Sequence, residues 1–282
     1  MADRFEFVLD VVEALVIGEA TGGNIRQFPL RIGSLPSDPV RFVQVAKKVN
    51  DSVEARRLSV GDDLRPSVRT AFELLAKPRV SVAVSGVDGL GSDIAVVALT
   101  DGRQALGITQ DAKTDELLFS LFADEELVEV VAGVLPRMRP ASTGAATVRQ
   151  AAAQEVSAMT ARRRAEAAED EEETDAFGMI EVSGRVAPRP DPRVSRAPAG
   201  GLEMLERVLA QPRLGGGQIA VTGWGRHGER RGGNPLGWLD TADGRYLIKS
   251  TAGPAGDLTA EYLPAGHRDL ARAVQQAISA VY

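Results

Sequence analysis

Cysteine does not occur in this chain. Its absence excludes disulfides and thiolate metal sites, and is compatible with a reducing cytoplasmic setting. Histidine is confined to His227, in a glycine-arginine loop, and His267, near the start of the last helix, and each reads as a surface residue. No uninterrupted apolar run approaches the roughly 20 residues that cross a bilayer, so stable membrane insertion is not expected. Met1-Ala2-Asp3-Arg4-Phe5-Glu6 lacks a basic stretch followed by an apolar core, so no secretory signal is expected. A surplus of positive charge is also missing: the formal net charge is −6. Sequence-independent binding to nucleic acid draws its affinity from Lys and Arg neutralising phosphates, and a negative balance argues against it.

The signatures of common enzymes are missing too. There is no G-x-x-x-x-G-K-[ST] phosphate loop, no H-E-x-x-H, no G-x-S-x-G elbow and no EF-hand loop. Gly86, Gly89 and Gly91 fall between two strand-like stretches with no helix after them, so no helix N-terminus is offered to a dinucleotide phosphate. Glu169 to Glu173 are contiguous and lack the alternation that aims carboxylates at one ion. The expectation is a chain with no catalytic, cofactor-binding or metal-ligating residues. Arg226, His227, Arg230 and Arg231 lie between Trp224 and Trp238. Basic residues beside aromatics can stack single-stranded nucleic acid. On an acidic chain, with glycines at 225, 228, 232 and 233, the stretch reads instead as a long solvated hairpin.

What is present is an ordinary globular composition, 44% hydrophobic and 26% charged over 282 residues, enough for one large or two modest domains. Phe5 and Phe7 alternate with polar neighbours as in a half-buried strand. Asp10 with Glu13 forms a capping pair for a helix ending near Gly18, and Gln27 to Ile32 reads as a short strand. Asp38-Pro39 opens a second helix. A third spans about Leu64 to Ala76 and is stopped by Pro78. The period then becomes strand-like at Val80, Val82 and Val84. A glycine-rich turn at Gly86–Ser92, a strand at Ile94–Leu99, the Asp101-Gly102 hairpin signal, two more strands and a helix from Asp124 to Leu135 follow.

Residues 144–168 read as helix, and the acidic and proline-rich stretch 169–199 as an exposed, partly disordered connection. A short helix to Leu209 follows, then strands at Gln218–Trp224, Leu236–Asp240, Arg245–Ser250 and Asp257–Leu263. The chain closes in an amphipathic helix whose inward face is Leu270, Ala273, Val274, Ala277, Ile278 and Val281.

Part of this pattern occurs twice. Asp101-Gly102-Arg103 recurs as Asp243-Gly244-Arg245, Asp115 matches Asp257 at the same offset of 142, and Leu127, Val130, Val131, Val134 and Leu135 match Leu270, Ala273, Val274, Ala277 and Ile278 one place further on. A unit of strand, hairpin, strand, strand and helix leaves one sheet face partly uncovered. Docking two such units about a quasi-two-fold axis would complete the core. The expected organisation is therefore N-terminal helices and a first sheet–helix unit over 1–140, a helix and exposed connection over 141–200, and a second unit over 201–282, all forming one domain.

Phe72-Glu73-Leu74-Leu75-Ala76-Lys77-Pro78 with its following valines, Gly217-Gln218 through Gly237-Trp238-Leu239-Asp240-Thr241, and Asp243-Gly244-Arg245-Tyr246 before the last helix together resemble the EspG family. The resemblance runs from about residue 4 to 281 and is weakest over 136–199. It implies an α+β fold with a central, mostly antiparallel sheet, two helical bundles and quasi-two-fold symmetry. It also implies a cytosolic chaperone of type VII (ESX) secretion, which binds the helical tip of PE–PPE heterodimers and keeps them soluble without catalysis or cofactor. In the family a strand-connecting loop of the first sheet unit, the sheet surface and the C-terminal bundle meet the substrate. The matching loop here offers Asp88, Gly89, Leu90, Gly91 and Ser92, with Leu90 as its apolar tip; Trp224 and Arg226 of the second loop complete the expected partner-binding set. A WXG100-like helical protein is the other client considered, a non-catalytic regulatory or scaffold module the other function, and self-association into a homo-oligomer stays open.

Overall fold

The computed structural model describes residues 4–61, 63–150, 200–225, 227–253 and 257–282. An eleven-stranded sheet dominates it, in which the strands starting at residues 5, 117, 104, 93, 80, 213, 236, 244, 258 and 146 lie side by side in that order and the strand from 230 pairs with that from 213. Every pairing in this sheet is antiparallel. The first half comprises β1 (Phe5–Leu9), α1 (Val11–Thr21), α2 (Pro39–Ala55), a two-stranded ribbon β2 (Ser59–Val60) and β3 (Asp63–Leu64), and α3 (Pro66–Ala76). The meander β4 (Val80–Val87), β5 (Asp93–Thr100), β6 (Gln104–Gln110) and β7 (Leu117–Ala123) follows, with α4 (Leu127–Val134) after it. The second half has β8 (Ala146–Gln150), α5 (Gly200–Leu209), β9 (Arg213–Trp224), β10 (Arg230–Gly232), β11 (Leu236–Thr241), β12 (Gly244–Ala252), β13 (Leu258–Pro264) and α6 (His267–Val281). No helix among the described residues is long and apolar enough to cross a membrane.

Strand periodicity gives the sheet two faces with different covers. Val80, Val82, Val84, Ile219, Val221, Trp238 and Leu247 point to one face, where they pack with Leu127, Val131, Leu270, Val274 and Ile278 of α4 and α6. Val97, Leu99, Leu106, Ile108, Phe119 and Leu121 point to the other, under Leu15, Val53, Val68, Phe72 and Leu75 of α1, α2 and α3. Those three helices are one bundle. On the same face of the second half Ala141, Val208, Leu239 and Tyr246 form a smaller core; α5 is the described helix there, and the rest of the expected second bundle lies outside the described residues, as does the connection 169–199.

The halves meet where β4 pairs with β9, Val80 opposite Gly223 and Val87 opposite Gly216. On either side of this seam the order is the same: a four-strand meander, a helix on one face, and an edge strand, β1 beyond β7 and β8 beyond β13. The two Asp-Gly turns do different work. Asp101 accepts from the amides of Arg103 and Gln104 in its own turn. Asp243 instead accepts from the Ser142 hydroxyl and the Thr143 amide, tying down the segment between the halves.

Beside it, Arg245 sits on Asp240 with two charge-assisted bonds, Nε to Oδ1 at 2.6 Å and Nη2 to Oδ2 at 2.7 Å, and donates to the Pro136 carbonyl at 2.8 Å. Both side chains are buried, 1% and 4% exposed. Backbone bonds from Arg245 N to Arg139 O and from Ala141 N to Arg245 O complete this clamp.

Several sequence expectations are corrected. α1 does not stop at Gly18 but runs to Thr21 and ends on Gly22 in the left-handed region. Gly18 is inside the helix because the Gly23 carbonyl packs against it, where a Cβ would lie 2.6 Å away. Residues 27–32 are not a strand. Phe28 and Pro29 form a turn closed by Leu30 N donating to Gln27 O at 2.8 Å, and beyond it the Gln110 side chain accepts from Arg31 N and donates to Arg31 O, so no strand ladder forms. α3 begins at Pro66, and Leu64 pairs with Ser59 in the ribbon. Ala146–Gln150 is a strand against β13, not helix; Ala146 is buried and Thr147 exposed, which is strand alternation. The remainder of the expected 144–168 helix lies outside the described residues.

Candidate partner-binding site

The loop from β4 to β5 is built to hold its shape. Asp88 N donates to Ser92 O at 3.0 Å and Gly91 N to Asp88 O at 3.1 Å. The Asp88 carboxylate accepts from Leu90 N and Ser92 N, both at 2.8 Å. Four of the five backbone amides between 88 and 92 are thereby bonded within the loop. Gly91 supplies the positive φ of 78° that the turn needs. Gly89 lies against the Leu214 carbonyl, where a Cβ would come within 2.9 Å, so the loop rests on the start of β9.

Such a loop would ordinarily be polar at its tip. Here the tip is Leu90, 92% exposed and the most exposed large hydrophobic residue among those described. Val87 and Leu214, both exposed, stand beside it on the adjoining strands. Burying one leucine is worth about 1.5–3 kcal/mol, so a rigid loop that leaves Leu90 in water carries an unspent contact.

Trp224 is elsewhere. It ends β9 at the opposite end of the seam, half-buried, its amide donating to Arg79 O at 2.9 Å. The seven register steps from the Val80–Gly223 pair to the Val87–Gly216 pair separate the loops by roughly 23 Å at 3.3 Å per residue. Both loops follow the first strand of their meander, and an antiparallel seam puts equivalent loops at opposite ends. The Trp224 loop is organised by Glu229, which accepts from His227 N at 3.0 Å and pairs with Arg231 at 2.8 Å. Backbone amides and that guanidinium hold its carboxyl below the usual range. Arg226 lies outside the described residues. Asp88, Gly89, Leu90, Gly91 and Ser92 are thus brought together, and Trp224 is not with them.

Between the loops, on the face opposite α4 and α6, β4 presents Ser81, Ala83 and Ser85 and β9 presents Gln218, Ala220 and Thr222. None of these belongs to a buried apolar cluster. Apart from the exposed Gln218, the side chains of this strip are small. The sequence search missed Leu214, because the Gly215–Gly217 run hid the first half of β9. The signal was available: Gly86 and Gly217 leave room for the Trp238 ring on the other face, which requires β9 to extend past them. Among the described residues no group of three or more His, Asp or Glu is placed to hold a metal. This geometry offers an apolar knob on a stiff support, which suits contact with another protein.

Comparison with known proteins identifies the family and the fold. The chain matches the EspG family over residues 10–276. The solved structure of the Mycobacterium tuberculosis type VII secretion system chaperone EspG5, in complex with a PE25–PPE41 dimer, is similar to it with a TM-score of 0.62 at 11% sequence identity, covering 99% of this chain and 97% of that one. At that identity the likeness establishes the fold. None of the curated proteins matches this chain.

Proposed function

The chain belongs to the EspG family, and from that premise we propose that it is a type VII (ESX) secretion chaperone acting in the cytoplasm. Its client on this reading is a helical secreted protein, a PE–PPE-like heterodimer, whose apolar tip it covers until export. No catalytic step or cofactor is part of the role. Leu90 carries the reading: a leucine held in water by a loop with four of its five backbone amides bonded within it. The strip of small residues along the β4–β9 seam lets a helical surface approach the sheet backbone closely, and the Trp224 loop bounds its far end. The matched Asp-Gly turns and closing helices further support a duplicated unit, with 1–140 and 201–282 as its copies and 141–200 joining them.

The test is co-expression of the chain with a PE–PPE-like heterodimer from the same genome, followed by affinity capture and size-exclusion chromatography. Co-elution as one complex, with the heterodimer insoluble when expressed alone, is the expected result. A heterodimer that is equally soluble and elutes separately overturns the assignment, and capture of a WXG100-like protein in its place would redirect the client class.

A further inference from the structure

The end of the sheet that carries Leu90 also carries a charged feature, on the α6 side and several strands away. Arg137, Met138 and Arg139, from the segment after α4, face His267 and Arg268 at the start of α6 across a concavity of about 430 Å³. Arg137, Arg139 and Arg268 are exposed, while Met138 and His267 are half-buried. The two carboxylates nearby are already engaged. Glu129 meets His267 at 3.2 Å, and Asp269 accepts from Gly266 N and pairs with Arg272. Among the described residues no carboxylate lies within ion-pair distance of Arg137, Arg139 or Arg268, and Arg139 Nη2 donates only to the Ala242 carbonyl, at 3.4 Å. The backbone beneath them is fixed by the Arg245–Asp240 clamp, since Arg139 O accepts from Arg245 N and Pro136 O from the Arg245 guanidinium. Three arginines lining one concavity, without a carboxylate partner among the described residues, are unusual on a chain with a net charge of −6.

We propose that this concavity is a docking site for an acidic segment of a partner protein, one carrying glutamate or aspartate with an apolar residue beside them. Guanidinium groups bind carboxylates in bidentate pairs, and the concave arrangement lets three of them act on one short segment. Met138 supplies an adaptable apolar floor that a peptide side chain can use and a phosphate backbone cannot. No Phe, Tyr or Trp lines the site, and its one aromatic ring, His267, is already engaged by Glu129, so the site lacks the broad stacking platform that supports single-stranded nucleic acid. The site is separate from the Leu90 loop, and a client seated on that loop would leave it accessible to a second protein.

The test uses the whole chain and a fluorescein-labelled peptide of alternating glutamate and leucine, followed by anisotropy at low and at physiological salt. Binding that weakens as salt rises, and at least about tenfold in the triple variant Arg137→Glu, Arg139→Glu, Arg268→Glu, is the expected result. The control variant Arg41→Glu, Arg103→Glu, Arg230→Glu carries the same charge change at exposed positions elsewhere and should bind as the parent does. Thermal melts verify that both variants are folded. The proposal is overturned by no binding to the parent, by equal binding to both triple variants, or by a single-stranded oligonucleotide that binds as tightly as the peptide. Because the Leu90 contact is not involved, a Leu90→Ser variant should bind the peptide unchanged, whatever becomes of the chaperone assignment.

Discussion

Replacing Asp240 with alanine should be the most damaging single change outside the apolar core. The Arg245 guanidinium is 1% exposed; its bonds to Asp240 at 2.6 and 2.7 Å would vanish, leaving only the Pro136 carbonyl. An uncompensated charge left at a buried position costs about 3–5 kcal/mol, a large part of the 5–15 kcal/mol that holds typical domains together. Removing both charges is different. Asp240→Leu with Arg245→Met takes away the desolvation cost along with the attraction, so the double variant should recover most of the loss. Urea unfolding followed by tryptophan fluorescence reads this directly, because Trp238 is buried two residues before Asp240 on β11. A loss below about 1 kcal/mol in Asp240→Ala would mean that water reaches the pair. The clamp between the halves would then not depend on it.

Three further outcomes follow. Gly86→Ala would set a Cβ against the Gly216 carbonyl oxygen and 2.8 Å from both the Trp238 ring and the Gly217 Cα, and should cost about 1–3 kcal/mol in urea with a shift in Trp238 emission. Asp88→Ala removes the acceptor for Leu90 N and Ser92 N; hydrogen exchange should show those two amides losing protection while β4 and β5 keep theirs. The Asp243 carboxyl is pulled well below its ordinary value, chiefly by the Ser142 hydroxyl and then by Thr143. A group depressed on folding contributes stability that is fully present above its unfolded pKa, near 4, and is lost as pH falls toward its folded value. Asp243→Asn should therefore flatten the acid limb of stability below about pH 4 and leave the neutral range with no added slope.

Much of the fold was legible because local chemistry and final structure agree. The Asp10–Glu13 capping box, the Asp38 cap before Pro39 and the apolar stripe of the last helix all appear where the residues place them. What escaped reading depends on partners distant in sequence. Gln110 is 79 residues from Arg31, whose backbone it satisfies, so within 27–32 only Pro29 signals against a strand. Ala146–Gln150 is built partly from good helix formers, and pairing with β13 overrides that preference. Arg245 and Asp240 are charged residues that belong in the interior only as a pair. In the candidate site, Leu90 was visible as an apolar residue among turn formers. The roughly 23 Å between it and Trp224 was not, because that spacing comes from the antiparallel seam of β4 and β9.

The most direct test of the chaperone reading is calorimetric titration of a PE–PPE-like heterodimer into the wild-type chain and into Leu90→Ser. Leu90 makes no core contact, so melting should be unchanged. Loss of one buried leucine, about 1.5–3 kcal/mol, should weaken binding roughly tenfold to a hundredfold. Equal affinity of both chains for the heterodimer would contradict a client seated on this loop.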